Sequence, residues 1–247
     1  MIPKIIHYCW FGDANKEKYL SKYVKKWKKK LDDYQIIEWN EQNFDLKNSP
    51  CFVQEAYQMK KYAFVSDYVR LYALNQMGGI YLDTDIEIVK NFDDILEHDF
   101  FIGFENEDYL ATCVIGSKKG NLLIQYFMSF YDNRHFINQD GSLNTHTNTK
   151  IITKMLHDCG VALDVQNSDV FTEYGKIVVF SREYFSPYDY INGKTYQNES
   201  TYTIHHFEQS WLPIKLVLRR KVKIQVIKLL GENIENKIEK IIKKIWR

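Results

Sequence analysis

Two aspartates, Asp83 and Asp85, follow a short apolar run that we predict to be a strand over residues 80–82. A glycine pair, Gly78-Gly79, separates this strand from the segment before it. Side chains i and i+2 of a strand point the same way, so we expect both carboxylates on one face where the strand ends. Adjacent carboxylates repel each other unless a cation lies between them, and oxygen ligands suit Mg²⁺ or Mn²⁺. The pair therefore predicts a divalent metal that also holds substrate phosphates; the alternative is a solvated acidic turn.

The segment before the glycines, residues 66–77, has the apolar spacing of an amphipathic helix. Asp67 and Arg70 lie three residues apart on it and are therefore neighbours on the helix surface. On its own the pair is explained equally well as a surface ion pair, worth less than about 1 kcal/mol.

The combined pattern, S-D-x-x-R, an apolar run and then G-G-x-Y-x-D-x-D, is far more specific than its parts. It resembles the DxD-containing sugar transferases of glycosyltransferase family 32, which include yeast Golgi mannosyltransferases and many bacterial capsule enzymes. The glucosylating domains of the large clostridial toxins are distant relatives of that family. We expect this chain to be a member.

Three further segments are similar to elements of the same family. Residues 2–12, IPKIIHYCWFG, look like its opening strand, residues 204–211, IHHFEQSW, look like its closing motif, and residues 184–187, YFSP, match a weaker aromatic-proline element. Residues 147–150, TNTK, depart from it, because many members have a Gly-Pro pair there. The resemblance thus covers residues 2–211, and the departure concerns the acceptor side.

The resemblance implies roles for the four charged residues of the central pattern. Asp85 would coordinate the metal directly, whereas Asp83 would bind the ribose or the donor sugar and assist the metal through water. Asp67 and Arg70 would contact the donor sugar and phosphate. The implied reaction is transfer of a hexose, with retention of its anomeric configuration, from a nucleoside-diphosphate sugar, with UDP-sugar preferred, to a glycan or lipid-linked glycan.

The outer segments would complete the donor site. Trp10 would stack on the base, with Tyr8 also in the donor-binding set, and Ser210 and Trp211 would close over the diphosphate. His206 would reach the metal or the diphosphate.

The neighbouring histidine, His205, stays an alternative to His206. The two alternate on a predicted strand, so only one can face the site. We expect His206, because it lies nearer the Ser-Trp pair.

Two other functions also accommodate a D-x-D after an apolar strand. A phosphatase of the haloacid-dehalogenase type would use the first aspartate as nucleophile, but that family places a small hydroxyl residue where this chain has Ile86-Glu87. Its motif also lies at the N-terminus, not about 80 residues in. A catalytically inactive nucleotide-binding scaffold is the third hypothesis, and the intact acidic pair argues against it.

The composition indicates a folded protein. The 247 residues are 45% hydrophobic and 15% aromatic, which suits one large domain, and the four scattered cysteines lack zinc-site spacing and fit a reducing compartment. No signal-peptide pattern and no run of about 20 apolar residues is visible. We therefore expect a cytoplasmic, bacterial enzyme; no nucleic-acid motif is present.

Strand and helix patterns alternate along the chain. Strands are predicted at residues 5–10, 36–39, 80–82, 100–104, 112–116, 177–180 and 202–206, and helices at 16–31, 66–77, 122–131 and 150–157. This alternation predicts an α/β fold with one Rossmann-like mixed sheet covered by helices on both faces, and the resemblance implies the GT-A type. Ligands of such sheets lie at the carboxyl ends of the strands, where Trp10, Asp83 and Asp85 fall.

The charge is unevenly distributed. Residues 210–247 hold eleven Lys/Arg and three Asp/Glu, a net of +8, so a chain of net +1 leaves about −7 on residues 1–209. We expect a transferase domain at 1–212 and a basic helical tail at 213–247. The tail has two open explanations, a helix packed on the protein or an amphipathic helix on an anionic inner membrane. Its apolar stripe is Ile227, Leu230, Ile234, Ile238, Ile241 and Ile245.

Overall fold

A computed structural model describes residues 1–12, 16, 20, 22–161, 163, 168–189, 193–208, 215–219, 222, 224 and 225. Among them lies a central sheet of seven strands in the order β2-β1-β3-β6-β5-β8-β7. Its strands are Ile5–Cys9 (β1), Gln35–Trp39 (β2), Gly79–Leu82 (β3), Phe100–Phe104 (β5), Leu110–Ser117 (β6), Ser168–Thr172 (β7) and Gly175–Phe180 (β8). Strands β6 and β7 run antiparallel to their neighbours, so the sheet is mixed.

Two small sheets and several helices surround the central sheet. One small sheet pairs Ile86–Ile88 (β4) with Thr203–His205 (β11), and the other pairs Tyr188–Asp189 (β9) with Lys194–Thr195 (β10). The helices are Val24–Trp27 (α1), Cys51–Gln58 (α2), Tyr62–Met77 (α3), Leu122–Ser129 (α4), Asn148–Asp158 (α5) and Arg182–Phe185 (α6), with a short 3₁₀ turn at Asp93–Ile95. None of the described helices is long and apolar enough to cross a membrane.

The two faces of the sheet pack into two separate hydrophobic clusters. Alternate side chains of β3 divide between them: Tyr81 faces the cluster built with α2 to α5, whereas Ile80 and Leu82 face the cluster built with α1, β4 and α6. Both faces are therefore covered, and the predicted α/β class is confirmed.

Buried polar contacts fix β1 to its neighbours. The imidazole of His7 is fully buried, with Nε2 2.7 Å from the carbonyl oxygen of Gly78, and it accepts a hydrogen bond from the indole of Trp39 over 3.1 Å. Burial lowers the pKa of His7 and keeps the ring neutral. His7 is therefore a structural residue that joins β1 to its neighbours.

Several predicted elements differ from the observed ones. Strand β4 was not predicted, since three residues carry little periodicity and the partner strand lies more than 100 positions later. The helix predicted over residues 16–31 appears in the described part only as single helical residues and α1. The helical tail falls mostly outside the described residues, although residues 215–219 are helical.

Candidate active site

Five strands end at the same edge of the central sheet. Strands β1, β2, β3, β5 and β8 all run in one direction, as their pairings show. The residues that follow four of them gather there: Trp10 after β1, Asp83 after β3, Glu105 after β5 and Arg182 shortly after β8. This is the edge at which α/β sheets bind ligands.

The two aspartates lie in a turn and not on one face of a strand. Strand β3 ends at Leu82, the amide of Asp83 donates to the carbonyl of Cys113 over 3.0 Å, and the amide of Ile86 donates back to Asp83 over 3.1 Å. The expectation that Asp83 and Asp85 share a strand face is therefore wrong. The turn places the two aspartates against different parts of the protein. Asp83 contacts residues on the face covered by α2 to α5, and Asp85 contacts residues at the end of β11.

Arg70 is the buried cation beneath Asp83. The residue is only 5% exposed. Its guanidinium lies 2.8 Å from Asp67 and 3.5 Å from Asp83, and it donates to the carbonyl of Thr112 over 2.7 Å. It also stacks 4.7 Å from the ring of Tyr81, whose hydroxyl donates to Asp83 over 2.8 Å. The Asp67–Arg70 pair is thus a buried support of the site and not a surface ion pair.

The Asp67 carboxyl is held in an unfavourable environment. Burial, reinforced by the charge of Asp83, raises its pKa to about 6, although Arg70 opposes the shift. Asn148, 4% exposed at the start of α5, lies close enough to lower that pKa, yet neither atom of its amide has a well-formed hydrogen bond with any described residue. A carboxylate beside an unsatisfied buried amide is suited to bind the hydroxyl groups of a sugar.

Asp85 is held by groups from the end of β11. Its carboxylate lies 3.4 Å from Nε2 of His205 and accepts a hydrogen bond from the amide of Glu208 over 2.8 Å. Burial by itself would raise the pKa of Asp85, but His205 and the Glu208 amide hold it below its usual value. Asp85 is therefore ionised at neutral pH.

His205, and not His206, faces the acidic pair. The Nε2 atom of His206 lies 2.8 Å from Glu87, and its ring stacks on Tyr23 with centroids 4.7 Å apart. The antiparallel pairing of His205 with Ile86 places His205 against the turn instead. The expectation for His206 is corrected accordingly, and the reason is the register of two strands far apart in sequence.

The donor set at this turn fits a divalent cation. One ligand atom each from Asp83, Asp85 and His205 lies within 4.8 Å of the other two. Two carboxylate oxygens and one imidazole nitrogen suit Mn²⁺ and also Mg²⁺. His205 approaches the acidic pair with Nε2, which lies 3.4 Å from Asp85, whereas its buried Nδ1 has no well-formed hydrogen bond among the described residues.

The structure also positions two of the other predicted site residues, Tyr8 and Trp10. Tyr8 is buried, donates to Glu38 over 2.8 Å and packs edge-on against Trp27, so its hydroxyl is committed to a contact within the fold. Trp10 is half-buried at the end of β1, and its amide donates to Trp39 over 2.9 Å. Ser210 and Trp211 lie outside the described residues.

The sequence analysis missed four residues of this edge: Tyr81, Glu105, Asn148 and His205 as the preferred histidine. Tyr81 had a signal, because it lies two positions before Asp83 and thus on the same face. Glu105 had one too, since it directly follows a predicted strand. Asn148 lies in the TNTK segment that departs from the family pattern, but only the fold shows that the start of α5 reaches Asp67.

Comparison with known proteins gives one family match and several relatives. Residues 17–102 match the model of the family described as the glycosyltransferase sugar-binding region containing a DXD motif. An uncharacterised glycosyltransferase of Acanthamoeba polyphaga mimivirus is 28% identical over 231 residues, which cover 86% of this chain and 85% of the relative. The inositol phosphoceramide mannosyltransferase 3 of Schizosaccharomyces pombe is 29% identical over 146 residues, 55% of this chain and 40% of that one.

Two solved structures are similar to this chain. The PaToxG glycosyltransferase has 22% identity and a TM-score of 0.44, with 64% of this chain and 68% of that chain covered. A glycosyltransferase involved in glycosylation of the major capsid of PBCV-1 has 10% identity and a TM-score of 0.48, with 89% and 100% covered. The family match and the sequence relatives support a glycosyltransferase enzyme, as predicted.

Asp67→Asn is expected to stabilise the folded protein at pH 7. A carboxyl whose folded pKa is about 6 instead of 3.8 stabilises the fold at low pH, and that contribution is lost as the pH rises through 6. The difference amounts to at most about 3 kcal/mol. Urea unfolding of both proteins at pH 4 and pH 7 should show the gain only at pH 7. The exposed Asp32→Asn is the control, and an equal pH dependence for Asp67→Asn and wild type contradicts the assignment.

Proposed function

We propose that this protein is a metal-dependent, retaining glycosyltransferase of the GT-A type and of family 32. It takes a hexose from a nucleoside-diphosphate sugar, with a UDP-sugar as the expected donor, and transfers it to a glycan or lipid-linked glycan in surface polysaccharide synthesis. The observation that carries the proposal is the cluster of Asp83, Asp85 and His205 at the carboxyl edge of the sheet. Retention and the identity of the donor rest on the family resemblance.

Asp83, Asp85 and His205 would hold Mn²⁺ or Mg²⁺, which neutralises the charge that develops on the departing diphosphate. The protein's own part is to fix the ligands in place. Arg70 and the Tyr81 hydroxyl orient Asp83, while the Glu208 amide orients Asp85. Because these contacts come from the protein itself, they hold the ligands in a fixed geometry for the reaction.

The donor sugar would lie against the buried Asp67. Its hydroxyl groups can donate to the Asp67 carboxylate, beside which the Asn148 amide has no well-formed hydrogen bond among the described residues. The base would stack on Trp10 at the neighbouring strand end, with Ser210 and Trp211 closing over the diphosphate. Calorimetry with nucleoside diphosphate tests Trp10, because equal affinity in Trp10→Ala excludes stacking.

The phosphatase alternative is disfavoured by the environment of Asp83. In that mechanism the first aspartate attacks phosphorus, so one oxygen must be free to act as nucleophile. Asp83 Oδ1 accepts a hydrogen bond from Tyr81 and lies 3.5 Å from Arg70, so the negative charge of the whole carboxylate is partly neutralised. Both contacts reduce its nucleophilicity.

Asp85→Asn is expected to lower turnover of the donor at least ~100-fold, since it removes a charged oxygen ligand worth on the order of 3 kcal/mol in the transition state. The assay incubates the purified protein with a panel of nucleotide sugars and Mn²⁺ and measures release of nucleoside diphosphate. EDTA should abolish the release, and Asp32→Asn should retain it. Full activity in EDTA or in Asp85→Asn contradicts the metal-dependent mechanism.

The two histidines provide a matched pair. His205→Ala is expected to weaken Mn²⁺ binding at least ~100-fold, because a residue that binds the metal directly contributes more than one that only contacts a ligand. His206→Ala should change Mn²⁺ binding less than threefold. Manganese titration by calorimetry in the presence of nucleoside diphosphate measures both. If His206→Ala has the larger effect, the assignment of His205 is wrong.

We also propose that the enzyme works in the cytoplasm, at the inner face of a bacterial membrane, through the basic tail at 213–247. The net charge of +8 on residues 210–247 supports this, as do the exposed side chains of Leu216, Leu218 and Val222. Removal of the residues after Lys215 should abolish sedimentation with anionic vesicles and leave donor turnover intact. An unfolded truncated protein shows instead that the tail packs on the domain.

A further inference from the structure

Lysines cover the outer side of α1 and of the turn that follows it. The segment 16–30 holds eight lysines and one glutamate, a net charge of +7, whereas the rest of residues 1–209 holds 14 Lys/Arg and 28 Asp/Glu, a net of −14. This segment is therefore a basic region on an otherwise acidic domain. All exposed side chains within residues 22–30 are lysines, and together they are named the lysine face: Lys22, Lys25, Lys26, Lys28, Lys29 and Lys30.

The lysine face lies on an ordered helical segment. Apolar side chains at helical spacing are buried on its inner side, in the cluster that α1 builds with β4 and α6: Leu20, Val24, Trp27 and Leu31. The amide of Leu31 donates to the carbonyl of Trp27 over 3.0 Å, so helical backbone contacts continue past the end of α1. Because the apolar side is fixed in the core, the lysines are held together on the opposite, solvent-facing side.

The described part of the chain supplies few counter-charges to the lysine face. Lys22 forms an ion pair with Glu208. Lys26 and the three lysines at 28–30 form no ion pair with any residue that the structure describes. Lysines four positions apart on a helical turn, such as Lys26 and Lys30, repel each other and destabilise the turn. A surface with negative charges would reduce this repulsion, so the lysine face is complementary to an anionic partner.

The inner side of the same segment contacts the strand that follows Asp85. The indole of Trp27 donates over 2.9 Å to the carbonyl of Ile86, the first residue of β4. Glu208, the ion-pair partner of Lys22, donates from its amide to the Asp85 carboxylate over 2.8 Å. The width of one helix with its side chains, about 10–12 Å, therefore separates the lysine face from β4. A partner bound to the lysine face would lie close to the acidic pair.

We propose that the lysine face binds the anionic headgroups of a phospholipid membrane and keeps the acidic pair close to that surface. The proposal rests on the proposed function, to which it adds a membrane contact made by the folded domain. Lysine ammonium groups on flexible stems suit phosphates spread over a surface, because they bind as point charges and need no fixed geometry. Single-stranded nucleic acid is usually bound through exposed aromatic side chains, whereas both aromatic residues of the segment 22–30, Tyr23 and Trp27, are buried.

A membrane at this position suits an acceptor that is carried on a lipid. The lipid keeps such an acceptor near the bilayer, and the lysine face keeps the acidic pair of the enzyme near the same surface. The tail and the lysine face would bind one membrane together, so loss of either is expected to weaken binding steeply.

The test uses the full chain and vesicles in which phosphatidylglycerol supplies the negative charge. The lysine-face variant combines four substitutions: Lys26→Gln, Lys28→Gln, Lys29→Gln and Lys30→Gln. Its partition into the vesicles should be at least ~100-fold weaker than that of wild type, because each lysine near an anionic surface contributes about fivefold. Its release of nucleoside diphosphate from the donor should equal that of wild type, since none of the four lysines belongs to the active site.

A matched control variant removes the same charge from exposed lysines elsewhere: Lys47→Gln, Lys60→Gln, Lys61→Gln and Lys119→Gln. Its partition should change less than threefold, because salt screens charges that lie away from the bound surface. A second measurement locates the contact by acetylating the wild-type lysines with a water-soluble ester. Anionic vesicles should slow the modification of residues 26–30 at least ~fivefold and that of Lys119 less than twofold. Vesicles of phosphatidylcholine alone should protect neither.

Three results would overturn the proposal. A lysine-face variant that partitions within threefold of wild type shows that the lysine face does not bind the membrane, and an equal loss in the control variant shows an effect of net charge alone. Stronger protection of residues 26–30 by double-stranded DNA than by anionic vesicles, at equal phosphate concentration, shows a nucleic-acid partner instead. Wild type that turns over no donor while vesicles protect its lysine face refutes the transferase function and supports the membrane contact, so the two failures are distinguishable.

Discussion

The buried guanidinium of Arg70 is the interaction on which the active site depends. It lies where α3, β3 and β6 meet, and it neutralises Asp67 and Asp83 in a place that water barely reaches. Without this buried cation, the carboxylates of Asp67 and Asp83 would repel each other and push apart the elements that carry them. The guanidinium also donates to the Thr112 carbonyl and stacks on the ring of Tyr81. Arg70 therefore positions the strand that precedes the acidic pair, in addition to neutralising the pair's charge.

This arrangement divides the acidic pair between two supports. Asp83 interacts with Arg70 and Tyr81, which lie on the face covered by α2 to α5. Asp85 interacts with His205 and Glu208 on the opposite face. The turn at Thr84 is the point where the chain crosses from one face to the other. A ligand that binds both aspartates therefore joins the two layers of the protein.

The sequence predicted the parts of this architecture that depend on local patterns. Apolar runs located β1, β3, β5 and β8, and helical spacing located α3 and with it the neighbouring Asp67 and Arg70. It could not predict which histidine faces Asp85, because that follows from the register of β4 with β11. It also placed the aspartates on a strand face, since nothing local shows that β3 ends at Leu82 and that a second strand begins at Ile86.

The pairing of β4 with β11 has a consequence for the order in which the protein is made. The ribosome adds His205 120 residues after Asp85, which is a delay of roughly 6–24 s at the usual rates of synthesis. During that interval Arg70 and Asp83 can already meet, since α3 and β3 are adjacent in sequence. Strand β4, however, has neither its partner strand nor the imidazole that faces Asp85. A polypeptide released before residue 205 would keep most of the large sheet but would leave Asp85 without His205 and Glu208. Premature termination would therefore give a protein with a nearly complete fold and an incomplete catalytic centre.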